Sequence, residues 1–322
     1  MNAIYLGKKS GPEALTLGEI PRPSPNADEV LIKVYATAVM PTELHWVPTF
    51  SQPSGEPRPF PIVLSHEFSG VVESVGARVR DLPVGEEVFG LNDWFINGAQ
   101  AEYCVASAAN LAPKPKSLDH AEAAVVPISA LTAWQGLIEK AQLKRGQRVL
   151  IHGAAGGVGS FAVQLARWRG AHVTATASAA NIEFVRALGA DKVIDYHATR
   201  FEDVICDVDV VFDGVGGETL QRSWSVLKPS GKLVTIASTK TAPDQRSREA
   251  FMLVRADGPQ LAQIGRMIDS GELRVFVEAV YPLSGARDAY TRAQEGGTRG
   301  KIALNVAENI NLNPTSTDRI RS

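Results

Sequence analysis

His152-Gly153-Ala154-Ala155-Gly156-Gly157-Val158-Gly159 follows the apolar run Arg148-Val149-Leu150-Ile151-His152. It opens a stretch from Ser160 to Gly170 in which Phe161, Val163, Leu165, Ala166 and Trp168 recur at helical spacing. A glycine turn between a strand and a helix has a physical use. Glycines let the backbone turn sharply and approach a pyrophosphate closely. The helix then offers its first N–H groups and the positive end of its dipole to the anion. Ala154 stands where the usual pattern has its first glycine. The context of strand, turn and helix still predicts a dinucleotide site.

Downstream, strand and helix signals alternate. Ala171–Ala177 reads as a second strand and 181–188 as a helix stopped by Gly189. Val193-Ile194, 208–212 and 232–236 read as further strands, with a helix over 217–227 and another from Pro259 to about Asp269. Repeated strand–helix–strand units predict a parallel sheet covered by helices on both faces.

Upstream the pattern differs. Residues 1–118 hold short β-branched runs, at 30–36, 68–75 and 87–90, punctuated by Pro21, Pro23, Pro25, Pro57, Pro59 and Pro61. This predicts a β-rich, barrel-like module. Short elements return after about residue 275: Val275-Phe276-Val277, a helix over 286–295 and a last strand over 301–306. They are read as completing the first module. The expected organisation is therefore 1–118 with 275–306, a parallel-sheet domain over 119–274, and a loose tail over 307–322.

The second strand's end decides the cofactor. An acidic residue there would bond an adenine-ribose 2′-hydroxyl. Ser178 stands at that point instead, followed by Ala179, Ala180 and Asn181. No carboxylate repels a 2′-phosphate, so NADPH is expected over NADH. No cation lies between Ser178 and Asn181, although a phosphate calls for one. Arg200 and Lys192 are the cations considered for it.

The 322 residues carry 33 Lys and Arg against 35 Asp and Glu, a net charge of −2. Phosphate-backbone contact needs concentrated positive charge, so no nucleic-acid partner is expected. Two cysteines, Cys104 and Cys206, exclude a disulfide framework and a four-thiolate zinc site. No leader-like start and no run of about 18 apolar residues is visible, so a cytoplasmic protein with no membrane partner is expected.

The chain resembles the medium-chain dehydrogenase/reductases, in their zinc-independent quinone oxidoreductase (zeta-crystallin-like) branch. The resemblance rests on residues 126–134, 153–159, Ala187-Leu188-Gly189-Ala190-Asp191, 211–217 and Gly300-Lys301-Ile302-Ala303-Leu304. It implies an α/β chain with a GroES-like β-rich catalytic domain and a Rossmann domain, a doubly wound parallel sheet. It implies that Ala155, Gly156, Gly157, Val158 and Gly159 hold the pyrophosphate, with Ser178, Asn181 and Tyr196 near the adenine-ribose phosphate. Thr132 is implied near the nicotinamide, bordered by Phe251, Met252 and Leu253, with Lys301 close to the cofactor. Many relatives are dimers, which implies a homodimer.

Zinc-dependent relatives carry a catalytic Cys, a His and a third ligand. Those positions fall here on Met40, His66 and near Ile128, and no metal is expected. Reduction of a conjugated acceptor needs less Lewis-acid help, because hydride addition yields a delocalised anion. The expected substrate is a small quinone or α,β-unsaturated carbonyl. His45 and His66 are the expected proton or hydrogen-bond donors to the acceptor, and Thr132 completes the catalytic set. Trp46, Phe50, Phe60, Trp94 and Phe95 are candidates to line an apolar slot. The alternatives are a zinc-type alcohol dehydrogenase and a non-catalytic NADPH-binding protein.

Overall fold

The computed structural model describes residues 1–237 and 244–307. The tail expected over 307–322 lies outside the described residues from 308 onward. Arg148–His152 is the central strand of a five-stranded sheet. The order across it is Lys192–Asp195, His172–Ala177, Arg148–His152, Val208–Asp213 and Leu227–Thr235, and every pairing is parallel. Val149 and Ile151 face one hydrophobic cluster, with Phe161, Leu165 and Phe212. Leu150 faces another, with Val211, Leu220 and Leu233. A strand buried on both faces reads as a continuous apolar run, which is why 148–152 was conspicuous.

Chain order reverses between Arg148–His152 and Val208–Asp213. The strand after the first is laid on one side and the strands after the third on the other. Open parallel sheets bind ligands in the crevice at this switch point, beyond the carboxyl ends of the strands. The glycine turn begins there.

The helix after the turn is Gly157–Trp168, three residues earlier than the apolar spacing indicates. Glycine has no side chain to register in a hydrophobic pattern, so the first turn was invisible to it. The strand expected over 232–236 runs Leu227–Thr235, and the one expected over 275–277 runs Val277–Pro282. The helix expected over 217–227 ends at Ser223 and continues as a 3-10 turn, Trp224–Val226.

The other large sheet is built from both ends of the chain. Its order is Val277–Pro282, Lys301–Asn305, Glu29–Ala38, Glu67–Val75, Glu87–Leu91 and Leu111–Pro113, with Tyr103–Ser107 also paired to Glu29–Ala38. Ala303 pairs with Ala38 and Asn305 with Ala36, so the last strand lies beside one of the first. Leu15–Glu19, Asn2–Leu6 and Ile62–Val63 form a smaller antiparallel sheet. The segment entering the last strand joins the modules: Gly300 N–H donates to Ala155 O at 2.8 Å, and Gly156 and Gly300 form a parallel bridge.

Candidate active site

The turn is held by its own backbone. Gly153 takes φ +72°, a left-handed conformation that glycine adopts at little cost. Its carbonyl accepts from Gly156 N–H at 3.2 Å. Gly159 is fixed by packing, because a Cβ there would lie 2.1 Å from Gly153 O. A Cβ on Gly156 would meet only Gly153 O, at 3.5 Å. Gly159 is therefore needed for the loop to close on the helix, while Gly156 keeps open the space a phosphate would enter. Ala155 is 8% exposed. The Ser129 hydroxyl, buried and without a hydrogen-bond partner among the described residues, would sit 3.0 Å from a Cβ on Gly157, with Lys301 Cβ and Cδ near 3.6 Å. An orphaned hydroxyl and a cation beside a helix N-terminus fit an anionic cofactor.

Ser178 ends the second strand, half-buried, and its carbonyl accepts from Asn181 N–H at 2.9 Å. Tyr196 N–H donates to Ala177 O at 3.2 Å, which sets Tyr196 at the same sheet end, 56% exposed. Asn181 does not offer its amide to a ligand. Its Oδ1 accepts from Arg299 Nε at 2.8 Å and its Nδ2 donates to Gly297 O at 3.5 Å. Lys192 pairs with Thr174 at the opposite end of its strand from Asp195, roughly 10 Å away at about 3.3 Å per residue. Arg200 is bound to Glu202. Lys192 thus lies away from Ser178, and the Arg200 guanidinium is engaged by a carboxylate.

At the reacting end, Glu67 is fully buried and joins three parts of the chain. Its Oε2 accepts from Ile128 N–H at 2.8 Å, at the start of helix Pro127–Trp134, and its Oε1 from the Lys301 ammonium. Burial pushes the Glu67 carboxyl up, and Lys301 opposes the shift. Glu43, fully buried in the short helix Pro41–His45, accepts from Ser65 N–H at 2.7 Å through Oε2. Ser65 takes φ +62°, strained for a residue with a Cβ. The other Glu43 oxygen has no hydrogen-bond partner among the described residues. Desolvation drives the Glu43 carboxyl up to about 7, with Lys301 opposing and Glu67 reinforcing. No local sequence pattern marks Glu43 as buried.

His66 changes role. Asn92 Nδ2 donates to the carbonyls of Asn97 and Val105, at 3.2 and 3.5 Å, so Asn92 Oδ1 is the acceptor facing His66 Nδ1 at 2.9 Å. The imidazole proton therefore sits on Nδ1, and Nε2 is an acceptor. Burial lowers its pKa to about 4. A neutral ring with Nε2 unprotonated cannot donate to an acceptor's oxygen from that atom, which corrects the donor role expected for His66. Thr132 is likewise a buried acceptor, because its hydroxyl donates to Ile128 O at 2.6 Å. His45 is exposed at the end of its short helix.

Of the five aromatic slot candidates, Trp46 and Trp94 meet edge to face at 5.1 Å, and His66 lies 5.1 Å from Trp94. Trp94 Nε1 donates to Val254 O at 3.3 Å, tying this cluster to the segment that holds Phe251 and Leu253. Leu253 is 46% exposed, and Phe251 O accepts from Lys140 Nζ at 3.1 Å. Phe95 is 36% exposed. Phe50 packs instead beneath Lys9 and on the first module's core, and Phe60 is 42% exposed.

Met40, His66 and Ile128 offer a thioether, one imidazole and an alkyl group. That set does not fit a Zn²⁺ shell. Among the described residues, no three His, Cys, Asp or Glu side chains converge on one point. Cys104 is buried, and burial raises its thiol further from ionisation.

Comparison with known proteins bears on this site. Residues 26–116 match the alcohol dehydrogenase GroES-like domain, and residues 188–304 match the family described as zinc-binding dehydrogenase. The chloroplastic NADPH-dependent alkenal/one oxidoreductase of Arabidopsis thaliana is 33% identical over 315 residues, covering 94% of this chain and 79% of that protein. The quinone oxidoreductase of Coxiella burnetii superposes with a TM-score of 0.87 at 30% identity, over 95% of this chain and 99% of that one. A mycobacterial protein complexed with NADPH superposes with a TM-score of 0.81 at 29% identity, over 95% of this chain and 100% of that one. With two sheets joined at a glycine turn and likeness along nearly its whole length, the chain belongs to the medium-chain dehydrogenase/reductase family, in its quinone oxidoreductase-like branch.

Proposed function

We propose that the protein is an NADPH-dependent reductase that transfers hydride to a quinone or an α,β-unsaturated carbonyl without a metal. One observation carries this reading. The zinc-ligand positions hold Met40 and Ile128, which pack in the same hydrophobic cluster as Trp94, whose ring in turn meets Trp46 and His66. When bound, the reduced nicotinamide supplies the hydride.

The chain's own residues bind and orient. Gly157, Val158 and Gly159 present helix N–H groups to the pyrophosphate, with the Ser129 hydroxyl and Lys301 beside them. Glu67 holds Lys301 and the start of helix Pro127–Trp134 in one register. Thr132, whose hydroxyl donates to Ile128 O, would offer an acceptor to the nicotinamide end of the cofactor. Ser178 and Tyr196 would hold the adenine-ribose end. The indoles cover a flat acceptor and exclude water, which strengthens polar interactions at the developing oxyanion. His45, at the mouth, is the side chain proposed to donate a proton there, with solvent as the other source.

The homodimer rests on family resemblance, and light scattering after size exclusion tests it. The cytoplasmic location rests on the sequence reading. Among the described residues no helix is long and apolar enough to cross a membrane.

The function is tested by following nicotinamide absorbance with NADPH or NADH against a panel of quinones, enals and enones. NADPH is expected to be consumed with at least one acceptor and NADH more slowly. NADPH binding with no turnover across the panel would overturn the reductase. Stoichiometric zinc in the purified protein would overturn the metal-free chemistry.

A further inference from the structure

The segment that precedes the last strand brings a cation to a place the sequence left without one. Arg299 Nη2 donates to Ala180 O at 2.7 Å, and Nε donates to Asn181 Oδ1 at 2.8 Å. Its guanidinium carbon lies 5.7 Å from the centroid of the Phe184 ring. Ala180 and Asn181 belong to the 3-10 turn Ala179–Asn181, of which Ser178 is the N-cap. The guanidinium is thus bound to the turn that Ser178 caps.

The charge state of this arginine is as informative as its position. All its side-chain bonds are to neutral groups, and no carboxylate among the described residues pairs with its guanidinium. The nearby Glu278 is occupied otherwise: its Oε1 accepts from Arg292 Nη2 at 2.6 Å and its Oε2 from the Arg299 backbone N–H at 2.9 Å. Two of the five guanidinium N–H groups are used by the turn. A half-buried, uncompensated fork of donors beside a carboxylate-free strand end is suited to a dianion.

We infer that Arg299 is the cofactor-specificity residue of this chain, receiving the 2′-phosphate of the adenine ribose opposite Ser178. Asn181 then acts as a positioning residue that aims Arg299. The cation comes from the last part of the chain, 118 residues beyond Asn181, so local sequence could not supply it.

This rests on the proposal that the cofactor is NADPH, and the test separates the two. Binding of adenosine 2′,5′-bisphosphate and of 5′-AMP is measured by calorimetry on the whole protein, together with NADPH and NADH. The unaltered protein is expected to favour each 2′-phosphorylated ligand. Arg299→Ala is expected to weaken the bisphosphate about 10- to 100-fold, the range for a charge-assisted hydrogen bond, with 5′-AMP unchanged. Arg299→Lys is expected to recover part of the preference. An unchanged ratio in Arg299→Ala overturns the inference and leaves NADPH standing. Equal loss of both adenylates assigns Arg299 a structural role and also overturns it. An unaltered protein with no preference overturns the NADPH reading and the inference with it.

Discussion

Backbone amides shape the phosphate end of the crevice, and buried side chains shape the reacting end. The first is seven consecutive residues, Gly153–Gly159, whose closure is set by one carbonyl, Gly153 O. The second gathers Glu43, Ser65, Glu67, Ile128 and Lys301 from four separate stretches around two buried carboxylates. A backbone site is sensitive to added volume where its residues close on one another, as at Gly159. A side-chain site has the opposite sensitivity: its volume can be matched by an isostere, while an unpaired charge is costly. Each kind of substitution should therefore be severe at one end and mild at the other.

The largest effect is expected at the side-chain end. Lys301→Met removes the partner of a fully buried Glu67. Breaking a buried pair from one side costs about 3–5 kcal/mol. Urea unfolding at neutral pH measures it, and a loss below about 1 kcal/mol would mean Glu67 is neutral without its partner.

Glu43→Gln sharpens the same point through pH. The Glu43 carboxyl rises from 4.5 unfolded to about 7 folded, so the folded state binds more protons between those values. Its contribution is most favourable below about pH 4.5, declines as pH rises, and levels off above about 7. At about 1.36 kcal/mol for each step of one in pKa, the full decline is about 3 kcal/mol. The Gln variant should exceed the parent by about that much at pH 8 and by less than about 1 kcal/mol at pH 5. A difference independent of pH would show that Glu43 does not titrate on folding.

At the backbone end, volume is the probe. Gly159→Ala is expected to cost about 2 kcal/mol, since the new methyl overlaps a carbonyl that cannot move without opening the turn. Gly156→Ala, with 3.5 Å to the same oxygen, should melt within about 2 °C of the parent yet lose NADPH affinity. Equal melting losses at the two positions would erase the distinction between closing the loop and admitting a ligand.

The smallest effect is expected from Ser178→Asp, which adds a charge on an open rim. NADPH binding should weaken about tenfold relative to NADH through repulsion of the 2′-phosphate. Equal NADPH affinity before and after would move the phosphate away from Ser178.

The same contrast governs what was legible beforehand. The strand Arg148–His152, the turn after it and the serine at the next strand end could be read because the site there is contiguous, and strand, turn and helix each leave a local signature. The first turn of the helix was missed for want of side chains. The reacting end was legible as a roster: Met40, His66, Ile128 and Lys301 were all named. Its electrostatics were not. Whether His66 donates depends on Asn92, and Asn92 depends in turn on two carbonyls, Asn97 O in a neighbouring loop and Val105 O in the strand Tyr103–Ser107. The burial of Glu43 and the aim of Arg299 come from tertiary contacts that no local pattern encodes.

The interleaved last strand also sets a timetable. All five strands of the parallel sheet lie between residues 148 and 235, so that unit can pair while the chain is still emerging from the ribosome. The larger sheet can pair over residues 29–113 but cannot be completed then: Glu29–Ala38 waits for Lys301–Asn305, about 270 residues later, and such distant pairings form slowly. Until then, Glu67 has no Lys301 and one edge of the first module is uncovered. During synthesis the parallel sheet can be complete before the larger sheet is, and the charge-balanced reacting end is finished last.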